Sequence, residues 1–256
     1  MIESVDRRVL GGFVCVDAIT GTTVIPPIRA TSDQWRLRAN RSGVYAIMDG
    51  PGLSNLTTQF LPHGAWPAAV AHDVLLIDPN RRYLTRRAKV TAPAHVPTIP
   101  PDPVKPAGVF VPQAVAVYPS PSSPVGSNWT TIHASVVRQG TNPPVGLASA
   151  VLLVTRNSDH AVLATGQTDA NGEALLAVLG LKVQANTHGH GPVTVSSVAA
   201  TITAYFDPSA LHQAAGWVPD PDDILHNVAN PALKSANHAA QLSAGQELAL
   251  SFSIAV

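Results

Sequence analysis

Short runs of alternating apolar and polar residues, separated by turns, make up most of the chain. The first half has FVCVDAITG at 13–21 and RSGVYAIM at 41–48, and the second half has VGLASAVLLV at 145–154 and TGQTDANGEALLAV at 165–178. Successive side chains of a strand point to opposite faces, and Asp, Asn, Gly and Ser favour tight turns. Both halves therefore predict antiparallel strands joined by hairpins.

The length and the prolines divide the chain into two modules. Its 256 residues suffice for two sandwiches of about 100 residues each with a connector. Proline fixes φ and has no N–H to donate, so a proline-rich stretch predicts an extended, semi-rigid linker. We therefore predict an all-β protein of two Ig-like or transthyretin-like antiparallel sandwiches. The N-terminal one covers residues 1–92, the Pro-rich linker 93–112 and the C-terminal one 113–256.

Residues 207–246 form the longest stretch without a clear strand pattern. They lie between the alternating segment 193–206 and the C-terminal strand pattern LALSFSIAV. Loops longer than about 15 residues in a compact domain are usually functional or disordered. This segment contains Trp217, an acidic run and short patterns typical of helical turns. We interpret it as a long contact loop inserted in the second sandwich, the alternative being an excursion without a role.

Charge is scarce and unevenly distributed. Lys and Arg number 16, as do Asp and Glu, but residues 1–92 hold 11 basic against 7 acidic residues, and 93–256 hold 5 against 9. The halves thus carry about +4 and −4 by subtraction, which a head-to-tail contact could use. The basic run at 81–89 predicts a solvated or subunit-facing strand edge, since positive charge there discourages stray pairing. Phosphate binding is the alternative, but few aromatics accompany the run, so we predict no nucleic-acid partner.

Residues for catalysis or metal binding are sparse. The one cysteine, Cys15, permits no intramolecular disulfide and is predicted to be a small buried hydrophobe. The closest histidine pair, His188 and His190, lacks a third ligand at a helpful spacing. The Asp169–Gly172 stretch lacks the terminal acid of a calcium loop and is predicted to be a hairpin turn. No G-x-S-x-G, Walker or G-x-G-x-x-G motif occurs, so we predict no enzyme, metal or cofactor.

No segment has about 20 uncharged apolar residues, which argues against a membrane-spanning helix. The N-terminal MIESVDRRVLGG lacks the apolar core of a signal peptide. We expect cytoplasmic synthesis without a signal peptide, with release as part of a particle left open.

The pattern DAITG…RSGVY and its second copy VGLASAVLLV…GQTDANGEALL resemble carboxypeptidase regulatory-like, transthyretin-like domains. That family typically has a D-x-x-T-G turn, a small-residue strand and then T-D-x-x-G-x-Y. The resemblance covers residues 8–60 and 130–180; in the first copy 40–43 read NRSG, and in the second Ala174–Leu175 replace the aromatic. The resemblance implies a sandwich fold and a non-catalytic module, and it leaves the biological role open.

A looser resemblance comes from DPNRRYL at 78–84 and YPSPSSP at 118–124 in this tandem arrangement. It is to standalone proteins encoded with phage-tail-like contractile injection systems, and it implies a structural subunit with protein partners, a homo-oligomer included. The alternatives are a carbohydrate- or surface-binding adhesive module and an accessory subunit of a separately encoded enzyme. The candidate partner contacts are Arg81, Arg82, Arg86, Arg87, Trp217, Asp220, Asp222 and Asp223.

Overall fold

The computed structural model describes residues 9, 11–25, 27–51, 69–92, 112–181, 183–184, 194–195, 197–213 and 217–256. Nearly all of their regular structure is β-strand, arranged in several sheets, which confirms the predicted all-β sandwich class. The chain divides into two compact units, which hold seven and nine of the described strands respectively.

The first unit is a sandwich of two sheets. Its four-stranded sheet has the order β3-β4-β1-β7, and its three-stranded sheet has the order β2-β5-β6. The strands are β1 (Gly11–Asp17), β2 (Arg29–Thr31), β3 (Arg36–Ala39), β4 (Val44–Asp49), β5 (Val70–Ile77), β6 (Arg86–Ala92) and β7 (Gln113–Val117).

The second unit has sheets of order β10-β9-β14-β15 and β11-β8-β16, with a small ribbon of β12 and β13. The strands are β8 (Thr130–Arg138), β9 (Val151–Arg156), β10 (Val162–Gln167), β11 (Glu173–Val178), β12 (Val183–Gln184), β13 (Thr194–Val195), β14 (Val198–Phe206), β15 (Lys234–Leu242) and β16 (Glu247–Ile254). A 3₁₀ helix at Pro208–His212 and helix α1 at Pro221–His226 lie between β14 and β15.

The two units share the same strand topology except for one strand. In each, the first strand pairs antiparallel with the fourth main strand and parallel with the last: β1 with β4 and β7, and β8 with β11 and β16. The fifth strand pairs antiparallel with the second and the sixth in both. They differ in the third strand, because β3 joins β4 whereas β10 joins β9. The two similar sequence patterns therefore correspond to two units with similar strand order and pairing.

The purely antiparallel prediction was wrong at two places. The β1–β7 and β8–β16 pairs are parallel. Each joins the first and last strands of a unit, which are too far apart in sequence for a hairpin. Hairpin patterns report only neighbouring strands, so they could not predict this pairing.

Two equivalent turns align the units residue by residue. In the turns 40–44 and 169–173, Oδ1 of the first residue, Asn40 or Asp169, accepts hydrogen bonds from the N–H groups of the third and fifth residues. The glycine at the fourth position has a φ of 80° in the first turn and 81° in the second, a left-handed conformation that glycine adopts without strain. The predicted hairpin turn at Asp169–Gly172 is thus present, and it has the same geometry as residues 40–43.

Two predicted boundaries differ from the structure. Strand β7, which was assigned to the C-terminal module, pairs with β1 in the first unit. The segment 207–246 is not one loop, because β15 within it pairs with β14 along nine residues. The insertion that remains is 207–233. The linker residues 93–111 and the pair His188 and His190 lie outside the described residues.

Each unit has its own apolar core. In the first unit, side chains pointing between the sheets include Phe13 and Tyr45, whose rings stack with centroids 4.7 Å apart. Val74, Leu76, Val90 and Val115 are also buried there. The core of the second unit is built mainly from β8, β9, β11 and β14, with Phe206 and Phe252 among its largest side chains.

Candidate protein-interaction surface

The predicted basic edge does not form one surface. Arg81 and Arg82 are exposed, but they lie in the turn Asn80–Leu84, which groups with the second unit. Arg81 has a φ of 57°, so the chain turns there instead of extending as a strand. The turn is held by backbone hydrogen bonds between residues 82–84 and 118–120. Only the residues from Arg86 onwards form the predicted strand.

The prediction that Arg86 is a partner contact was wrong, because its side chain is fully buried in the first unit. It occupies an inward-facing position of β6, in the same alternation as Ala88 and Val90. Its Nη1 donates to the carbonyl oxygen of Ala116 at 2.5 Å, and its Nε donates to that of Arg87 at 3.1 Å. Carbonyl oxygens thus replace the water that the guanidinium loses on burial.

Arg87 faces the opposite side of β6 and remains partly exposed. Its Nη1 lies 3.3 Å from Oδ2 of Asp73 on β5. With Lys89 exposed beside them, the outer face of this three-stranded sheet carries charged side chains together with Leu75 and Ile77 of β5, which pair in register with Arg87 and Arg29. Cross-strand partners share one side of a sheet, so this face mixes charged and apolar side chains.

The acidic run of the insertion has a structural part and an exposed part. Asp220 is buried, and its side chain caps helix α1 by accepting a hydrogen bond from the N–H of Asp222. This corrects its assignment as a surface contact. Asp222 and Trp217 are half-buried, whereas Asp223 is exposed. The cap explains the Asp-Pro sequence at 220–221, since both residues favour a helix start.

Cys15 is buried as predicted, and its hydrogen-bonding partner is the buried hydroxyl of Tyr45. Burial raises the pKa of the Cys15 thiol to about 12, although the Tyr45 hydrogen bond and the charge of Arg86 oppose the rise. Tyr45 in turn donates to the carbonyl oxygen of Ile28. A thiol that stays protonated at neutral pH is a poor nucleophile.

We expect the folded protein to lose stability in alkaline solution because of the Cys15 thiol. Its pKa in the folded protein lies above the ordinary value of 9.0, so the stability that the protonated thiol contributes is complete below pH 9. That stability is lost as the pH rises towards about 12. Val136 occupies the equivalent place in the second unit. We therefore expect Cys15→Val to fold, and its melting temperature to fall less than that of the wild type between pH 9 and pH 11. If differential scanning calorimetry shows the same fall in melting temperature for both proteins, the role assigned to the thiol is wrong.

The outer side of the four-stranded sheet in the first unit is apolar. On β1, β4 and β7 the side chains that alternate with the buried ones are all apolar and half-buried or exposed. They are Val14, Val16, Val44, Ala46, Met48, Ala114 and Ala116. We call this set the apolar face. A sheet side that meets only water is normally polar, so this composition makes the apolar face a candidate contact surface.

The second unit provides an internal comparison. Register places Ser135 where the first unit has Val14, and Glu173 where it has Val44. On the last strand, Ser251 and Ser253 replace Ala114 and Ala116. The topology therefore tolerates polar residues at these four positions.

The other outward positions are apolar in both units. Leu175 and Ala177 correspond to Ala46 and Met48, and Val137 corresponds to Val16. Leu175 and Ala177 are each 1% exposed, so they are covered within the chain, unlike their half-buried counterparts. The distinguishing feature of the apolar face is thus the row formed by β1, β7 and the start of β4.

Arginines border the apolar face along the edge strand β3. Arg38 pairs in register with Ala46, and cross-strand partners share one side of a sheet. Arg36 and Arg41 lie at the start of β3 and in the following turn, and all three arginines are exposed. Within the described residues none of the three has a carboxylate partner. The surface therefore combines an apolar centre with a basic border.

The described residues contain no cluster of three His, Cys, Asp or Glu side chains that could hold a metal ion. An open cleft of about 410 Å³ in the second unit is lined by Arg156, Ser158, Gly180 and Leu181 among others. The Arg156 guanidinium there pairs with Asp159 at 3.1 Å, which neutralises the one cation among the described residues of the cleft lining. In the described part of the chain, no helix is long and apolar enough to cross a membrane.

The chain matches no protein-family model and no curated protein.

The basis for the apolar face was visible in the sequence. FVCV in β1, VYAIM in β4 and AVAV in β7 are continuous apolar runs, not strict alternations. Continuous apolar strands are typical of sheets covered on both sides. A prediction of ordinary half-buried strands from these runs does not reveal the apolar face.

Proposed function

We propose that this protein is a non-enzymatic assembly subunit of a multi-protein particle and that it binds a protein neighbour through the apolar face. One observation supports this most strongly. At four equivalent positions of one topology, the first unit has Val14, Val44, Ala114 and Ala116 where the second unit has Ser or Glu. Folding does not require apolar residues there, and a covered contact does.

The chemistry of the described residues agrees with a binding role. Three polar side chains that charge alone would suggest as site residues have structural tasks: Asp169 orders a turn, Asp220 caps a helix and Arg86 donates hydrogen bonds to carbonyl groups in the core. The kind of particle we propose is a phage-tail-like contractile injection system, on the strength of the sequence resemblance at 78–84 and 118–124.

Sedimentation of the native protein tests this proposal. In a density gradient of lysate from the source organism, the chain is expected with particles many times heavier than itself, together with other structural proteins in fixed ratio. Quantitative mass spectrometry of the fractions measures that ratio. A chain found only in the single-chain fractions would contradict an assembly role.

A further inference from the structure

We infer that the neighbour on the apolar face is a second copy of this chain, which docks there with residues 207–213 and 217–233 of its insertion. The inference rests on the proposed function in one respect, namely that the apolar face binds protein. It adds the partner and the segment by which the partner binds.

The border of the apolar face is complementary to an acidic partner. Arg36, Arg38 and Arg41 are exposed along one edge, without a carboxylate partner among the described residues. A partner with apolar side chains and carboxylates would cover the centre and pair with the border. Charges arranged in this way set the orientation and the rate of association.

The insertion has this composition. Leu211 in the 3₁₀ helix is 46% exposed, and Val228 just after helix α1 is 38% exposed. Asp222 and Asp223 lie in the first turn of α1, next to a capping Asp220 that holds the turn in place. Ile224 is buried and α1 packs against β9, so the helix is anchored to the second unit. The insertion thus presents the exposed side chains of Leu211, Val228 and Asp223 from a fixed base.

Net charge favours the same pairing. The first unit holds 10 basic and 8 acidic residues and the second holds 6 and 8, so the units carry about +2 and −2 by subtraction, which weakly favours head-to-tail contact between copies. Such a contact joins two different surfaces and therefore builds rings or filaments. The apolar face covers on the order of 250 Å² of sheet, well below the roughly 800 Å² per partner of a stable interface. We therefore expect weak association between isolated copies, with a dissociation constant on the order of 10 µM, that weakens as salt increases.

Charge reversal provides the test. Variant one carries Arg36→Glu and Arg38→Glu, and variant two carries Asp222→Lys and Asp223→Lys. Each variant alone places like charges at the contact, so analytical ultracentrifugation should show at least about tenfold weaker association than in the wild type. Mixing the two restores opposite charges at every contact, and association should return. Lys89→Glu, on the outer face of the other sheet, is the matched control and should associate like the wild type.

Disulfide trapping keeps the inference falsifiable if a reversed variant misfolds. Mixed chains carrying Arg38→Cys or Asp223→Cys should form a crosslinked pair under mild oxidation, because the native Cys15 is buried. A doubly substituted chain that only closes on itself would overturn the inference in favour of an internal contact. A wild-type chain that stays monomeric at 1 mM would also overturn it. If that chain still sediments with the native particle, the proposed function stands and the partner is a different protein.

Discussion

Replacing Gly146 with alanine is expected to destabilise the second unit strongly. A Cβ at this position would overlap the carbonyl oxygen of Asn171 and would lie 2.9 Å from the backbone nitrogen of Gly172. Both atoms belong to the backbone of the turn 169–173, so no flexible side chain can move aside. That turn is itself fixed by the hydrogen bonds to Asp169. We expect a loss of about 3 kcal/mol or more in the free energy of unfolding.

A comparison with a second glycine distinguishes the cost of steric overlap from the cost of ordinary backbone strain. Gly140 has a φ of 78°, and no atom lies within 4 Å of the place that a Cβ would occupy, so Gly140→Ala should cost only about 1 kcal/mol. Urea denaturation of both variants measures the difference. If Gly146→Ala were no less stable than Gly140→Ala, the close approach of residue 146 to the turn would be wrong.

The largest functional effect is expected from a variant whose first unit carries the polar residues of the second unit at the four equivalent positions of the apolar face. The variant carries Val14→Ser, Val44→Glu, Ala114→Ser and Ala116→Ser. These side chains are half-buried or exposed and point away from the core, so each change should alter stability by no more than about 1 kcal/mol. Incorporation into the native particle should nevertheless fall below detection, because polar groups would be buried at the contact without partners.

The matched control changes the outer face of the other sheet in the same unit. Thr31→Glu and Lys89→Ser lie at exposed positions of β2 and β6 and should leave incorporation unchanged. Gradient sedimentation of each variant, expressed in cells that lack the wild-type chain, gives the comparison. Normal incorporation of the four-residue variant would exclude the apolar face as the contact.

Local patterns predicted the sandwich fold because hairpins are local structures. The turns at 40–43 and 169–172 were recognisable from their Asn, Asp and Gly residues, and the flanking strands followed from alternation. The parallel pairs were not predictable in this way, because β1 and β7, like β8 and β16, meet only when the whole unit has formed. Strand β15 was missed since KSANHAAQL consists mostly of small or polar residues and shows little contrast between its two sides.

The contact residues were harder to predict than the fold. Arg86 was assigned to the surface from its charge, although its place in the alternation of β6 sets it among buried side chains. Asp220 was assigned to a contact from its acidic neighbours, although Asp-Pro is also a helix start. Sequence identifies residue types, whereas the side of a sheet depends on register, and register became known only from the paired strands.

Oxidation of Met48 tests the central claim most directly, because this methionine lies on the apolar face. Hydrogen peroxide converts an accessible methionine to its sulfoxide, and mass spectrometry of the peptide that contains Met48 follows the rate. Dilute, monomeric chain should oxidise at Met48 readily, and chain in the native particle at least about tenfold more slowly, with denatured chain as the reference. Equal rates in the free chain and in the particle would contradict the claim that the apolar face is covered by a protein neighbour.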